Sequence, residues 1–398
     1  MKKVDLIFLS PFSSLENFYT TTYFQALKNL SKKFSKIYFI NSSNLIPSIQ
    51  KKIKKNYKIK SGFIYFDPKN FSEFNKFISK LNPVIINAFS RTFSCFPLLF
   101  FLRIKKIPQI VIANFGNLQK KSMIFKDINL KFIIYYFFNV LPKKISTILA
   151  ILGILSKVEY RYTSYKQYYI NFKKKNKFYR FFSYYKEIIF VRSNVYESNY
   201  NCRLDNKYIL LLDMYPHYFQ LRKHVKISKK KVDIHYKRLN LLLNYLKKIF
   251  SKKVVVSIHS SYPINFHKKK FPNFDVIKYK TNELISKSFV VVFFNSSAII
   301  HAIRLKKKIV ILESEIFKGK VYNSFFYKKA LNAKSIILKN EYKFKKKWLL
   351  SELSKRIKFY ERYSKEYLGS EFDLPGSDQI YRHIEKNFVL DKQLMPKQ

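Results

Sequence analysis

Along the first half of the chain, short unbroken apolar runs alternate with segments in which apolar positions recur every three or four residues. The runs are VDLIFLS (4–10), KIYFINSS (36–43), FIYFD (63–67), PVIINAF (83–89) and PQIVIANF (108–115), and YFQALKNLSKKF (23–34) is the first helical pattern. Continuous apolar runs, as opposed to alternating ones, mark strands buried on both faces, as in a parallel sheet crossed by helices. A basic aromatic stretch at 164–186 keeps no clean period. The alternation then resumes with EIIFVRS (187–193) and YILLLDMYP (208–216), followed by an amphipathic helix over 232–250 with Asp233 in its first turn. KKVVVSIHSSYP (252–263), FDVIKYKTNELISKS (274–288), FVVVFFNSS (289–297) and KKIVILES (307–314) supply further strands. A last helical segment, 377–388, has Ser377 placed as its N-cap. The pattern predicts an α/β protein of two domains, 1–195 and 196–398, with the boundary near 185–205 and a basic, aromatic insertion near 131–186.

Composition narrows this. A chain of 398 residues can bury two cores, and 47% apolar content with 18% aromatic excludes a disordered protein. Two cysteines, Cys95 and Cys202, make neither a disulfide framework nor a metal cluster, which suggests a reducing compartment. The opening MKKVDLIFLSPFSS has too short an apolar run for a signal peptide and reads as a first strand.

The net charge of +54 raises the question of a polyanionic partner. It is spread evenly: residues 1–195 hold 35 Lys/Arg against 7 Asp/Glu, and residues 196–398 hold 43 against 17. An even spread, with Lys, Ile, Asn, Phe and Tyr abundant and Gly scarce, fits A/T-biased coding better than a dedicated nucleic-acid surface. Such a surface is still drawn to anionic lipid. No segment reaches the roughly 18 apolar residues of a spanning helix. FIIYYFFNVLP (132–142) and ISTILAILGILS (145–156) come nearest, divided by Lys143-Lys144. An interfacial membrane helix and a buried helix pair both fit them.

The stretch FFNSSAIIHAIRLKKKIVIL (293–312) places Asn295-Ser296-Ser297 where a strand hands over to a helix. Ligands of open parallel sheets bind at the carboxyl ends of strands, beside helix N-termini with free N–H groups. A serine there caps the helix or donates to a phosphate; with two, one can do each. His259, past the end of the strand at 252–258, joins the set if the two strands are neighbours, and could bond a phosphate or ribose or transfer a proton.

Residues 271–312, FPNFDVIKYKTNELISKSFVVVFFNSSAIIHAIRLKKKIVIL, resemble the C-terminal domain of GT-B-type glycosyltransferases of bacterial surface polysaccharide (capsule and lipopolysaccharide) synthesis. The resemblance rests on Thr281, Glu283-Leu284, Ser296-Ser297-Ala298, Ala302 and the strand beginning at Lys307. YILLLDMYPHY (208–218) is similar to the strand that opens that domain and adds Asp213 and His217 as second-tier candidates. Two features depart from the family. The His-Pro motif reads His259-Ser260-Ser261-Tyr262-Pro263, and Lys306-Lys307-Lys308 lacks the usual proline.

The resemblance implies a GT-B-like fold, two Rossmann-like domains with parallel sheets facing a central cleft, that moves a sugar from a nucleotide-sugar donor to a surface glycan or lipid-linked acceptor without a metal. Asn295, Ser296, Ser297, Lys280, Thr281 and Arg304 are the expected nucleotide and phosphate contacts, His259 is a catalytic candidate, and Glu16, after the first strand, is the best placed carboxylate for a base. No acidic pair stands at a strand end, so no metal ligand is nominated, and no cofactor beyond the donor is expected. The expected setting is cytoplasmic, with peripheral contact to an anionic inner membrane. No GxGxxG or P-loop occurs, which argues against a dinucleotide oxidoreductase or an ATPase. A basic nucleic-acid-binding protein, a sugar-nucleotide epimerase and an inactive relative on the same fold are the alternatives, with no specific nucleic acid expected.

Overall fold

The computed structural model describes residues 4–10, 22–34, 37–42, 44–46, 63–88, 92–113, 136–175, 183–197, 205–216, 227–259, 262–317 and 324–390. They form two compact units. The first carries a seven-stranded sheet, order β3-β2-β1-β4-β5-β6-β7, and the second a six-stranded sheet, order β10-β9-β8-β11-β12-β13. Every paired strand in both is parallel.

In the first unit the strands are β1 (Asp5–Ser10), β2 (Ile37–Asn41), β3 (Phe63–Phe66), β4 (Pro83–Asn87), β5 (Gln109–Ala113), β6 (Val158–Thr163) and β7 (Tyr185–Phe190). The continuous apolar runs are buried on both faces, as parallel strands require. Leu6, Phe8, Phe39 and Ile112 pack beneath helix Thr22–Ser31, while Ile7, Leu9, Ile40 and Ile85 pack against Phe74, Leu98, Leu99 and Leu102 from the opposite side.

Two expectations are corrected here. The stretch near 131–186 is not an insertion: it supplies β6, helices Leu141–Ile151 and Lys166–Lys173, and the start of β7. The β6 sequence, VEYRYT, was masked by its Glu159 and Arg161, which sit at partly exposed positions. The C-terminal segment also belongs to the first unit from residue 366 onward, not to the second domain. Helix Gly376–Glu385 sends Ile380 and Ile384 into the first core. The return is fixed by Ser193 N–H donating to Leu368 O at 2.8 Å and by Arg192 N–H donating to Gln379 Oε1 at 2.7 Å. Gly369 sits there at φ +60°, where a Cβ would come within 2.9 Å of the Val191 carbonyl oxygen, so only glycine fits without rearrangement.

In the second unit the strands are β8 (Tyr208–Leu212), β9 (Lys253–Ile258), β10 (Asp275–Lys278), β11 (Ser288–Phe293), β12 (Lys308–Glu313) and β13 (Ser335–Ile337). Helix Lys229–Phe250 connects β8 to β9. Its N-cap is Ser228, whose hydroxyl accepts from Lys231 N–H at 3.4 Å. Val232, His235, Tyr236, Leu239, Leu242, Leu243 and Leu246 line its buried face, on the 3–4 spacing of an amphipathic helix. This order of strands puts a switch point between β8 and β11, where crossovers leave in opposite directions and a crevice opens outside the strand ends.

Candidate functional site

Register sets the heights of the residues around that crevice. Leu212 is paired with Ser257 on one side and with Phe293 on the other, so the three stand level. Asp213, Ile258 and Phe294 therefore follow one step beyond, and His259 and Asn295 two steps beyond. His259 and Asn295 follow the ends of β9 and β11, the two strands that flank β8.

The two serines after β11 differ in their surroundings. Ser296 accepts the Ala298 N–H on its hydroxyl at 3.3 Å, and its carbonyl accepts Ile299 N–H at 3.3 Å. It folds the turn and is half-buried. Ser297 is exposed, and its hydroxyl has no side-chain hydrogen bond among the described residues. The helix that follows, Ile299–Arg304, is only six residues long, so it contributes little beyond its first free N–H groups. Asn295 stands partly exposed at the strand end.

On the other side of β8, Ser257 Oγ lies 2.9 Å from Thr281 Oγ1, tying the end of β9 to the start of helix Thr281–Lys287. Lys280 immediately precedes that helix and is exposed. His259 is exposed beyond β9, its ring 5.3 Å from that of Tyr262. The structure thus brings Asn295, Ser296, Ser297, His259, Lys280 and Thr281 to the same edge of one sheet. Arg304 is in the last turn of helix Ile299–Arg304, which follows the serines. Glu16 and His217 lie outside the described residues.

Asp213 occupies the strand end but not the surface. Its side chain has no solvent exposure. Oδ2 lies 3.2 Å from Nε2 of the equally buried His267, a close contact without hydrogen-bond alignment, and accepts from Tyr236 OH at 3.3 Å. His267 Nδ1 is 2.7 Å from the Pro263 carbonyl oxygen, which can only accept, so Nδ1 donates. Beside this pair, buried His235 has Nδ1 2.8 Å from Ser314 Oγ, at the end of β12. Burial pushes the His235 imidazole down to about 4, against the pull of Asp213. Among the described residues, Asp213 Oδ1 and His235 Nε2 are buried without hydrogen-bond partners. His301, partly buried one turn after the serines, is pushed down to about 3, by burial first and the Arg304 charge second.

Sequence reasoning missed His235, His267, Ser257 and Ser314. His235 was findable, since it falls in register with Val232, Leu239 and Leu242 on the buried helix face. His267 was not, because only the fold of the loop after β9 brings it to Asp213.

No protein-family model matches the chain, and no curated protein matches it significantly by sequence. Solved structures do match. A variant of the wall teichoic acid polymerase TagF aligns over 98% of this chain and 90% of that one, at 14% identity and a TM-score of 0.57. TagF soaked with CDPG aligns over 99% and 90%, at 12% identity and 0.55. A protein described as a UDP-N-acetylglucosamine 2-epimerase from Listeria monocytogenes aligns over 98% of both chains, at 11% identity and 0.51. At such identities the likeness is one of fold. The chain has the GT-B fold, with two Rossmann-like domains of seven and six parallel strands, and its structural neighbours are enzymes acting on nucleotide-linked substrates.

Proposed function

We propose that this protein is a metal-independent GT-B glycosyltransferase that moves a sugar from a nucleotide-sugar donor to a surface glycan or lipid-linked acceptor, working at the cytoplasmic face of the inner membrane. The observation that carries the reading is the pair of serines at the β11 end, one folded into the turn and one with its hydroxyl exposed, beside the switch point of a parallel sheet. In this reading Ser297 and the N–H groups that follow it take a phosphate of the donor, with Asn295 beside them. Lys280 and Thr281, across β8, meet the rest of the nucleotide. His259 stands near the leaving phosphate, where an imidazole can donate a bond or a proton. Glu16 is the proposed base on the acceptor side. With 78 Lys/Arg against 24 Asp/Glu, phosphate charge is met by cationic side chains and N–H groups.

The test is a thermal-shift screen with CMP, UDP, GDP and their common sugar conjugates at physiological salt, with a single-stranded oligonucleotide as control. A ligand at about 100 times its dissociation constant adds about 2.7 kcal/mol. Stabilisation by one nucleotide class, lost in Ser297→Ala, supports the reading. A response to the oligonucleotide alone sinks it. An epimerase is the second reading, because the epimerase neighbour spans 98% of both chains. Product analysis with the responding sugar nucleotide separates the two: an epimerase converts the donor without an acceptor, and a transferase does not.

A further inference from the structure

We propose that the first unit docks on an anionic phospholipid surface through helix Phe96–Ile104 and the helical segment 136–152, at the N-terminal edge of its sheet. This names the surface by which the location given above would be realised, and it stands on observations separate from the nucleotide site.

The second of these helices is amphipathic the wrong way round. Leu141–Ile151 buries Pro142, Ser146 and Ala150, all small, while Ile148 is 56% exposed and Leu152, one residue past its end, 66%. Phe137 and Phe138, in the preceding turn, are exposed as well. Positions 141, 145, 148 and 152 follow the 3–4 spacing that places side chains on one stripe, with Leu141 and Ile145 partly exposed and Ile148 and Leu152 exposed. Helix Phe96–Ile104 buries Leu98, Leu99 and Leu102, and exposes Phe100 and Ile104 in line with Phe93. Scattered exposed apolar residues need no explanation, but two neighbouring helices with ordered stripes of them do.

The helices meet at their C-terminal ends. Ser156 N–H donates to Leu99 O at 3.1 Å, and Arg103 Nε–H donates to Gly153 O at 2.9 Å. The second bond gathers Ile104, Leu152 and Ile154, all exposed, around one contact. Between the helix ends lies a cavity of about 860 Å³, walled in part by Arg103, Lys106, Lys157 and Lys186. Its one acid, Glu159, is held by Lys186 at 2.7 Å. Lys105 and Lys144 stand exposed beside the two stripes. Burial, and then the Lys186 charge, press the Lys157 ammonium below its ordinary range, as expected where cations are crowded.

Apolar side chains ringed by lysine and arginine match the interface of an anionic bilayer, where rings and alkyl groups enter the headgroup boundary and cations meet phosphates. A second copy of this chain is a poor occupant, because each copy carries a net +54. Among the described residues no helix is long and apolar enough to cross a membrane, so the contact is in-plane. The cavity opens beside the starts of β5, β6 and β7, which leaves the carboxyl edge of the same sheet clear for a ligand.

The experiment is flotation of the full chain with phosphatidylcholine vesicles, with or without phosphatidylglycerol, at physiological salt and without nucleotide. Its failure therefore removes the membrane location but leaves sugar transfer standing, and a chain that binds no nucleotide can still float. The expected result is flotation with the mixed vesicles, weakened at least about tenfold in Ile104→Glu/Ile148→Glu/Leu152→Glu. Ile234→Glu/Leu241→Glu, at exposed apolar positions of helix Lys229–Phe250, should float like the parent. If the triple variant loses its circular dichroism, Lys105→Glu/Lys144→Glu takes its place, with the same expected loss. The proposal is overturned if the parent fails to float, if patch and control variants float alike, or if the parent is a dimer that the triple variant splits.

Discussion

Asp213 Oδ2 and His267 Nε2 stand 3.2 Å apart with neither side chain exposed to solvent, linking the end of β8 to the helix that follows β9. Because His267 Nδ1 donates to Pro263 O, the ring is held with Nε2 turned towards the Asp213 carboxylate. The pair pins helix Ile264–Lys270 from inside. Removing one partner leaves the facing polar atom of the other buried without this contact. Asp213→Asn and His267→Gln should each cost about 1–3 kcal/mol by chemical denaturation. The double variant should cost clearly less than the sum, since the second change removes the orphan left by the first. Strict additivity would show that the two side chains do not act as a pair.

Much of the fold was legible because parallel strands buried on both faces are written as unbroken apolar runs. YILLL, KVVVSI and SFVVVF lie in β8, β9 and β11, where the pattern put them. β6 was not legible, since VEYRYT carries charges at its partly exposed positions. The return of 366–390 to the first unit was hidden for a different reason. Its contacts with Arg192, Ser193 and Tyr162 span 175 to 221 residues of sequence, and no local period encodes them. At the site, strand-end chemistry pointed to the serines and His259, and the fold places them just past the ends of β11 and β9. The Asp213–His267 pair depends on loop geometry that no spacing rule contains.

Ser296 and Ser297 are adjacent and should separate cleanly. The Ser296 hydroxyl accepts a backbone N–H, so Ser296→Ala should lower stability by about 0.5–2 kcal/mol, as loss of a cap does. Ser297→Ala should change the stability of the unliganded protein by no more than about 0.5 kcal/mol, as exposed substitutions usually do. On the proposed function, Ser297→Ala alone should abolish or sharply reduce the thermal shift given by the donor nucleotide. Equal stability losses in the two variants would contradict the division of roles.

A chain with only 6 glycines must end helices by other means. Lys106, Ser251 and Lys306, each next to a helix end, all sit at φ +51°, a left-handed conformation that costs an ordinary residue about 1–2 kcal/mol. Glycine relieves that strain but adds about 0.5–1 kcal/mol of unfolded-state entropy. Each of Lys106→Gly, Ser251→Gly and Lys306→Gly should therefore stabilise by about 0.5–1 kcal/mol, and the three should add, being far apart in sequence and in two units. Denaturant midpoints that fall instead of rising would mean that the side chains themselves contribute more than the strain they carry.

Acid should destabilise the second unit earlier than its carboxylates require. His235 and His301 have folded values of about 4 and about 3, against an ordinary 6.5, with burial as the leading cause in both. As pH falls, the unfolded chain protonates first, so their contribution is complete above about 6.5 and is lost towards 4 and 3. The slope approaches about 1.4 kcal/mol per pH unit for each group. Urea unfolding at neutral pH and near pH 5 should therefore show a fall of order 2–4 kcal/mol from the two together. In His235→Asn/His301→Gln, which carries no titratable ring at either place, most of that fall should vanish even though the variant starts from a lower stability. A parent whose stability is flat across this range would show that neither imidazole is held neutral by its surroundings.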